Sequence, residues 1–180
     1  MKKLLYIISL AITFNAFTTA QAEVYKVNQG KVKFVAKGFP TFITITGKGN
    51  GLTGEMTEDG EKTSGKFALD LTSLSTDLDL RDEHMKNKYL EVAKFPKAML
   101  TLPIEKLSDS GEIKAILKLK DVEKEIPVQY EISSENGNKI VKTNFKIELS
   151  DFNIEIPSFQ GVTVAKTINL DVEFKAISKK

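Results

Sequence analysis

Alternation of polar and apolar residues, repeated along most of the chain, is the feature that most restricts its fold. In GKFALDL, Phe67, Leu69 and Leu71 share one face, while Lys66, Ala68 and Asp70 share the other. Successive side chains of a strand point to opposite faces, so this period of two predicts a strand with one buried face. The same pattern recurs in Val32, Phe34 and Ala36; in Ile113, Ala115, Leu117 and Leu119; in Ile126, Val128, Tyr130 and Ile132; in Val141, Phe145, Ile147 and Leu149; and in Ile168, Leu170, Val172, Phe174 and Ala176.

The connections between these segments are short and polar. They include SDSGE, KDVEKE and SENGNK, and the dipeptide Asn136-Gly137 is a strong hairpin signal. Parallel strands need helical crossovers, and no helical pattern of 10–15 residues separates the strands. The sequence therefore predicts an antiparallel meander, in which FITITGKGNGLTGEM is one long strand bent at its glycines.

A meander of seven to nine strands predicts a closed barrel. A flat sheet would expose one apolar face and two edges, whereas closure encloses the face and removes the edges. A barrel of about eight strands either fills its interior with side chains or holds one small ligand. A two-sheet sandwich is the competing architecture.

The first 22 residues have the organisation of a secretory signal peptide. MKK gives a positive start, LLYIISLAITFNAF is a short apolar run, and Ala20-Gln21-Ala22 is a signal-peptidase site. Cleavage is expected after Ala22, which leaves residues 23–180 as one domain. An uncleaved anchor is the alternative, but a spanning helix needs about 20 apolar residues and this run is shorter and interrupted.

Charge and cysteine content exclude several classes of function. Without Lys2 and Lys3, the 26 basic residues fall to 24 and equal the 24 acidic residues. This balance lacks the basic excess that nucleic-acid binding requires. The chain has no cysteine, so disulfides and thiolate metal sites are excluded. We expect no nucleic-acid partner, no cofactor and no metal.

The stretch Leu80–Pro96 differs from its surroundings because it is charged and favours a helix. Asp77 or Asp79 is the expected N-terminal cap, and Met85 and Tyr89 form an apolar stripe that packs on another element. Pro96 returns the chain to a strand over Lys97–Leu102.

Other candidate sites in the sequence have weak support. The single histidine, His84, is two residues from Asp82, so the two do not share a helical face, and no nucleophile motif surrounds them. The run Asp77-x-Asp79-x-Arg81 lacks the glycine and distal glutamate of a calcium loop. GKGNGLTG lacks the Gly-Lys-Ser/Thr and helix of a phosphate loop, and its glycines indicate a strand bend.

Three blocks of the sequence resemble the YceI-like proteins. RDEHMKNKYLEVAKFPKAMLT is similar to the central family signature, an Arg-Asp-x-His motif followed by a short helix, an aromatic-Pro pair and a strand. LKLKDVEKEIPVQYEI and FKIELSDFNIEIPSFQGVTVAKTINLDVEFKA are similar to two further family blocks. The resemblance covers essentially the whole of residues 23–180. One departure is Asn153, where the family usually has glycine, and asparagine tolerates the left-handed backbone.

The resemblance implies a lipocalin-like antiparallel barrel with one short helix near a barrel end. It also implies an exported, periplasmic protein that holds a polyisoprenoid or another long apolar molecule inside the barrel. Arg81, Asp82 and His84 match the family's Arg-Asp-x-His motif, and the resemblance implies that they hold the helix at the barrel mouth. It implies no catalysis, and it allows a homodimer. No segment after the signal peptide has the roughly 20 apolar residues needed to span a bilayer, so no stable membrane insertion is expected.

The leading hypothesis is thus a non-enzymatic carrier or sequestering protein for an apolar chain. Eight inward-facing residues are expected to contact the ligand: Phe34, Phe67, Leu69, Leu100, Leu117, Val128, Phe145 and Leu170. A filled barrel that acts as a stress-response or protein-interaction module is the alternative, because core and cavity wall use the same residue types. An enzyme using His84 is the third hypothesis.

Overall fold

The computed structural model describes residues 21–39, 43–159 and 161–179. Residues 1–20, most of the predicted signal peptide, lie outside the described residues, and the signal peptide stays a prediction. The strands of the described chain are β1 (Glu23–Val27), β2 (Gly30–Phe39), β3 (Thr44–Gly49), β4 (Leu52–Asp59), β5 (Lys62–Asp70), β6 (Ser75–Thr76), β7 (Lys97–Glu105), β8 (Ser110–Leu119), β9 (Val122–Glu135), β10 (Asn138–Glu148), β11 (Ser158–Phe159) and β12 (Val162–Ser178).

Ten of these strands form a closed antiparallel barrel of eight positions, and the two-residue strands β6 and β11 pair with β3 and β12. β1 and β2 are the halves of one bent strand, and β3 and β4 are the halves of the next, with the break at Asn50 and Gly51. Around the barrel follow β5, β7, β8, β9, β10 and β12, and β12 pairs back with β2 and β1. The predicted antiparallel barrel of about eight strands is confirmed, the predicted bend at the glycines is confirmed, and the sandwich alternative is wrong.

The period of two in the sequence appears directly in the burial of the strands. In β8, Ala115, Leu117 and Leu119 are buried, while the residues that alternate with them, Lys114, Ile116 and Lys118, are exposed. Each strand contributes its apolar set to the inside of the barrel because side chains alternate across the pleat.

The β9–β10 hairpin turns at Asn136 and Gly137, as the sequence predicts. Their φ angles are 51° and 76°, so both residues occupy the left-handed region. Asparagine and glycine tolerate this conformation best, and it matches the twist of the flanking strands. Asn153 also has a positive φ, of 53°, in agreement with the expected tolerance at that position.

One short helical segment interrupts the strands between β6 and β7. It begins as the α-helix α1 (Asp79–Glu83) and continues as a π-helix over His84–Tyr89. The amide of Leu90 donates to the carbonyl of Met85, a bond of 2.9 Å that spans five residues. Its position near a barrel end is confirmed, and β7 begins at Lys97 as predicted.

The expected cap by Asp77 or Asp79 is wrong. Leu78 is the N-terminal cap residue and makes no side-chain cap bond, and Asp79 is already helical. A different contact fixes the start of the helix: the carboxylate of Asp82 accepts hydrogen bonds from Thr76, which lies before the helix. The acids of the first turn still lie beside the positive end of the helix dipole.

The helical segment covers one end of the barrel. Met85, Tyr89, Leu90 and Val92 pack against the buried core at this end, which confirms the predicted apolar stripe. Beyond the helix, Lys120 of the β8–β9 turn forms an ion pair with Glu91. We call this end of the barrel the helix end.

The opposite end of the barrel is filled by side chains. A second core cluster contains Tyr25, Met56, Phe67 and Phe174, each less than a tenth exposed. The rings of Phe67 and Phe174 stack at a tilt with their centroids 5.1 Å apart. We call this end the closed end, and it gives the barrel interior a floor.

Candidate functional site

A cavity of about 730 Å³ occupies the barrel between the closed end and the helix end. Ligand pockets in proteins are typically about 300–1,000 Å³, so its size suits an organic molecule. Most of its wall is aliphatic or aromatic and comes from the inward faces of the barrel strands.

Several inward side chains are only half-buried, although they lie inside the barrel. Phe34, Leu69, Leu100 and Leu170 line the cavity and retain solvent-accessible surface. By contrast, Phe174 at the closed end is 7% exposed. The half-buried side chains expose their surface to the cavity, so the barrel is hollow towards the helix end.

The structure brings together all eight residues that the sequence places in the interior. Each lies on the cavity wall: Phe34, Phe67, Leu69, Leu100, Leu117, Val128, Phe145 and Leu170. Their contact with a ligand stays a prediction.

Charged groups on the cavity wall gather at the helix end. α1 and the π-helix place Asp79, Arg81 and His84 on the wall, next to the apolar side chains of Leu78 and Leu80. In the rest of the described wall, polar side chains are hydroxyl-bearing residues such as Thr143 and Tyr130. The site is therefore amphipathic, with an apolar interior and a charged mouth.

Asp82 does not line the cavity, unlike Arg81 and His84 on the same helical segment. Its carboxylate accepts hydrogen bonds of 2.6 Å from the backbone amide and the hydroxyl of Thr76. Burial acts to raise the pKa of the Asp82 carboxyl, but the bonds from Thr76, with help from Ser75, outweigh burial and hold that pKa below its usual value. Asp82 thus joins the start of the helix to β6.

Comparison with known proteins decides the family. The family model described as YceI-like domain matches residues 24–176. The chain belongs to the YceI-like family. The family resemblance in the sequence is thereby confirmed. No curated protein matches the chain.

Solved structures share the fold of this YceI-like domain. A domain from Saccharophagus degradans, described as a polyisoprenoid binding domain implicated in plant cell wall breakdown, aligns with a TM-score of 0.70 at 18% identity, over 86% of this chain and 98% of that chain. BcnA of Burkholderia cenocepacia aligns with a TM-score of 0.69 at 14% identity, over 82% of this chain and 96% of its own. The YceI protein of Campylobacter jejuni aligns with a TM-score of 0.52 at 16% identity, over 100% and 99% of the two chains.

Sequence reasoning missed how a glycine shapes the cavity of this YceI-like domain. Phe34 and Gly47 face each other across β2 and β3, and a Cβ at Gly47 would lie 2.0 Å from Cζ of the Phe34 ring. The absent side chain lets the ring lie against the wall. The signal was present, since a glycine within a strand often marks close approach of another group.

Sequence reasoning also missed the two apolar residues at the start of the helical segment that lie at the mouth. Leu78 and Leu80 line the cavity, yet both sit in a charged stretch with no strand alternation to reveal them. Within residues 21–39, 43–159 and 161–179, no group of three acidic or histidine side chains is arranged to hold a metal ion. Among the same residues, no helix is long and apolar enough to cross a membrane.

Proposed function

We propose that this YceI-like protein binds a polyisoprenoid or a similar long apolar molecule in its barrel, for transport, storage or sequestration. The observation that carries the proposal is the hollow interior, where half-buried apolar side chains face a cavity of about 730 Å³. It also counts against the filled-barrel alternative. The proposed function is binding without catalysis.

The energetics of burial are sufficient without special chemistry. Burying one CH₂ group contributes about 0.8 kcal/mol, so ten groups contribute roughly 8 kcal/mol before association costs are subtracted. That gross value corresponds to a dissociation constant of about 1 μM. An isoprenoid chain of several units offers more than ten carbon groups, which leaves a margin for the costs of association.

The choice of a polyisoprenoid is supported by two things. The structural neighbour from Saccharophagus degradans is described as a polyisoprenoid binding domain. The amphipathic site suits a molecule with one polar end, whose chain lies in the apolar interior and whose polar end lies near Arg81 and His84 at the mouth.

We place the protein in the periplasm, exported by a signal peptide that is cleaved after Ala22. The apolar run at residues 4–17 and the small residues at Ala20 and Ala22 support this placement. A homodimer formed through exposed strands is part of the same proposal.

Binding is tested by placing a charge in the cavity. Leu117 is 7% exposed and lies on the wall, so Leu117→Lys puts an ammonium group into apolar surroundings. We expect at least a tenfold loss of affinity for an apolar fluorescent dye, measured by titration, and competition of a long-chain prenol with that dye on the unmodified protein.

The neighbouring Ile116 provides the matched control. It is 41% exposed and lies outside the cavity wall, so Ile116→Lys adds the same charge to the outer surface of the same strand. Dye affinity is expected to stay unchanged in Ile116→Lys. Unchanged affinity in a folded Leu117→Lys protein, with the fold checked by circular dichroism, would remove the barrel interior as the binding site.

A further inference from the structure

The helix end carries a rim of exposed apolar side chains around the cavity mouth. Seven large apolar side chains of the described residues are exposed, and four lie at this end: Phe39 at 70%, Leu78 at 55%, Leu80 at 53% and Ile156 at 37%. We call these four residues the mouth rim. The other three, Ile104, Ile116 and Ile177, are single side chains on β7, β8 and β12.

Three separate segments bring the mouth rim together. Phe39 ends β2 and pairs with Thr163 of β12, which also pairs with Ser158 of β11, two residues after Ile156. Leu78 and Leu80 flank the first residue of α1 and lie on the cavity wall, two to four residues after β6, which pairs with β3 beside β2. The rim is therefore a set of apolar side chains that three segments contribute at the cavity mouth.

The apolar surface is continuous from the rim into the cavity. Leu78 and Leu80 expose more than half of their surface to solvent and also form part of the cavity wall. An apolar molecule that enters through this mouth passes from one apolar surface to the next. Exposed apolar surface of this kind marks protein or membrane interaction sites.

We propose that the mouth rim docks on a lipid surface, so that the bound molecule moves between membrane and barrel without crossing water. This inference rests on the proposed function. Transfer through water would expose every CH₂ group of the chain to solvent, which is unfavourable. A lipid surface accepts separate apolar side chains at several points and presents its own apolar phase to the opening between them.

The charges near the rim indicate which lipid surface it fits. Asp77 and Asp79 are exposed on either side of Leu78, and Lys37 is exposed two residues before Phe39. Because both signs are present, the rim has no cationic excess to attract anionic lipids. The structure therefore fits a zwitterionic or neutral surface that it binds through apolar contact.

The test uses a double variant that leaves the cavity wall intact. Phe39 and Ile156 belong to the rim but do not line the cavity, so Phe39→Ser/Ile156→Ser removes docking surface without changing the binding site. Ile104→Ser is the control, because Ile104 is 69% exposed and lies on β7 away from the helix end. Both proteins are recovered after export and compared with the unmodified protein.

Two measurements are made with phosphatidylcholine vesicles: co-flotation of the empty protein, and the rate at which an anthroyloxy-labelled fatty acid moves from loaded protein to vesicles. We expect the transfer rate to rise in proportion to vesicle concentration. In the double variant we expect flotation and transfer rate to fall about tenfold, given the apolar surface lost. We expect Ile104→Ser to match the unmodified protein.

Two transfer results would overturn the inference: a transfer rate that is independent of vesicle concentration, or a transfer rate that falls equally in Ile104→Ser. Flotation that requires phosphatidylglycerol would also overturn it. So would light scattering that shows a dimer which the double variant converts to a monomer. The last result would assign the rim to a second copy of the chain. Failure of the proposed function looks different, since the labelled fatty acid would then not bind in solution, while flotation of the empty protein would still decide whether the rim docks.

Discussion

At the scale of single residues, the pair Phe34 and Gly47 sets the free space in the barrel. The ring of Phe34 lies where a side chain at position 47 would be, with Cζ and Cε1 at 2.0 and 2.3 Å from an added Cβ. Phe34 is half-buried and faces the cavity. A side chain at position 47 therefore pushes the ring into the space that a ligand would use.

We expect Gly47→Ala to lower the affinity for an apolar dye several-fold and to destabilise the fold by about 1–3 kcal/mol, the usual cost of overpacking. Dye titration and thermal unfolding measure the two effects. Phe34→Leu shortens the side chain that must move, so Gly47→Ala should have little further effect on affinity in that background. An equal loss of affinity in both backgrounds would contradict this account of the pair.

At the scale of elements, the helical segment is held to the barrel at both of its ends. At its start, Asp82 accepts two hydrogen bonds from Thr76 of β6. After its end, Glu91 pairs with Lys120, whose side chain is 10% exposed and lies 6.0 Å from the centre of the Phe95 ring. The helical segment that these contacts hold places Arg81 and His84 at the mouth.

We expect Asp82→Asn to destabilise the protein by about 1–2 kcal/mol at pH 7, because the charge-assisted part of two hydrogen bonds is lost. The pKa of Asp82 is lower in the folded chain than its usual value, so folding is favoured when this carboxyl is ionised. The stabilisation is fully present above the unfolded value of about 3.9 and is lost as pH falls through the lower folded value.

Chemical unfolding of both proteins from pH 7 to pH 2 measures this dependence. The difference in unfolding free energy should shrink below about pH 4 and vanish at the acidic limit. Asp77→Asn is the control, since Asp77 is an exposed acid just before the same helix. A difference that persists unchanged at pH 2 would show that Asp82 acts through its shape and not through its charge.

The elements differ in how far sequence alone predicts them. Strand alternation is local, so sets such as Phe67, Leu69 and Leu71 predict both the strands and their buried faces. The π-helix is not predicted, because its bonds depend on how Met85 and Tyr89 pack against the barrel. The cap at Asp77 or Asp79 fails because the helix begins at Asp79, which puts Leu78 at the cap position, and the acid that accepts a bond before the helix is Asp82, from Thr76 of β6.

The same distinction applies to the cavity. The inward residues follow from alternation, and all eight predicted interior residues line the wall. Whether these residues fill the barrel depends on the barrel diameter and on the positions of large side chains such as Phe34. Neither property can be read from a local sequence pattern. The sequence therefore does not decide between a filled and a hollow barrel, whereas the structure shows a cavity.

At the scale of the whole molecule, the barrel has two different ends. The closed end is packed by Tyr25, Met56, Phe67 and Phe174, and it supplies stability. Between the closed end and the helix end lies the cavity of about 730 Å³, and the helix end places its charged side chains at the mouth. This division lets one barrel combine a packed core with an open cavity, and under the proposed function a ligand lies in the cavity with its polar end outwards.

The central claim is that this container holds a long apolar molecule. The most direct test is mass spectrometry of an organic extract from the protein, purified without detergent from the compartment in which it accumulates, with folded Leu117→Lys protein extracted in parallel. We expect a stoichiometric long-chain isoprenoid or related lipid from the unmodified protein and a strongly reduced amount from Leu117→Lys. An extract of the folded, unmodified protein that contains no such molecule would contradict the claim.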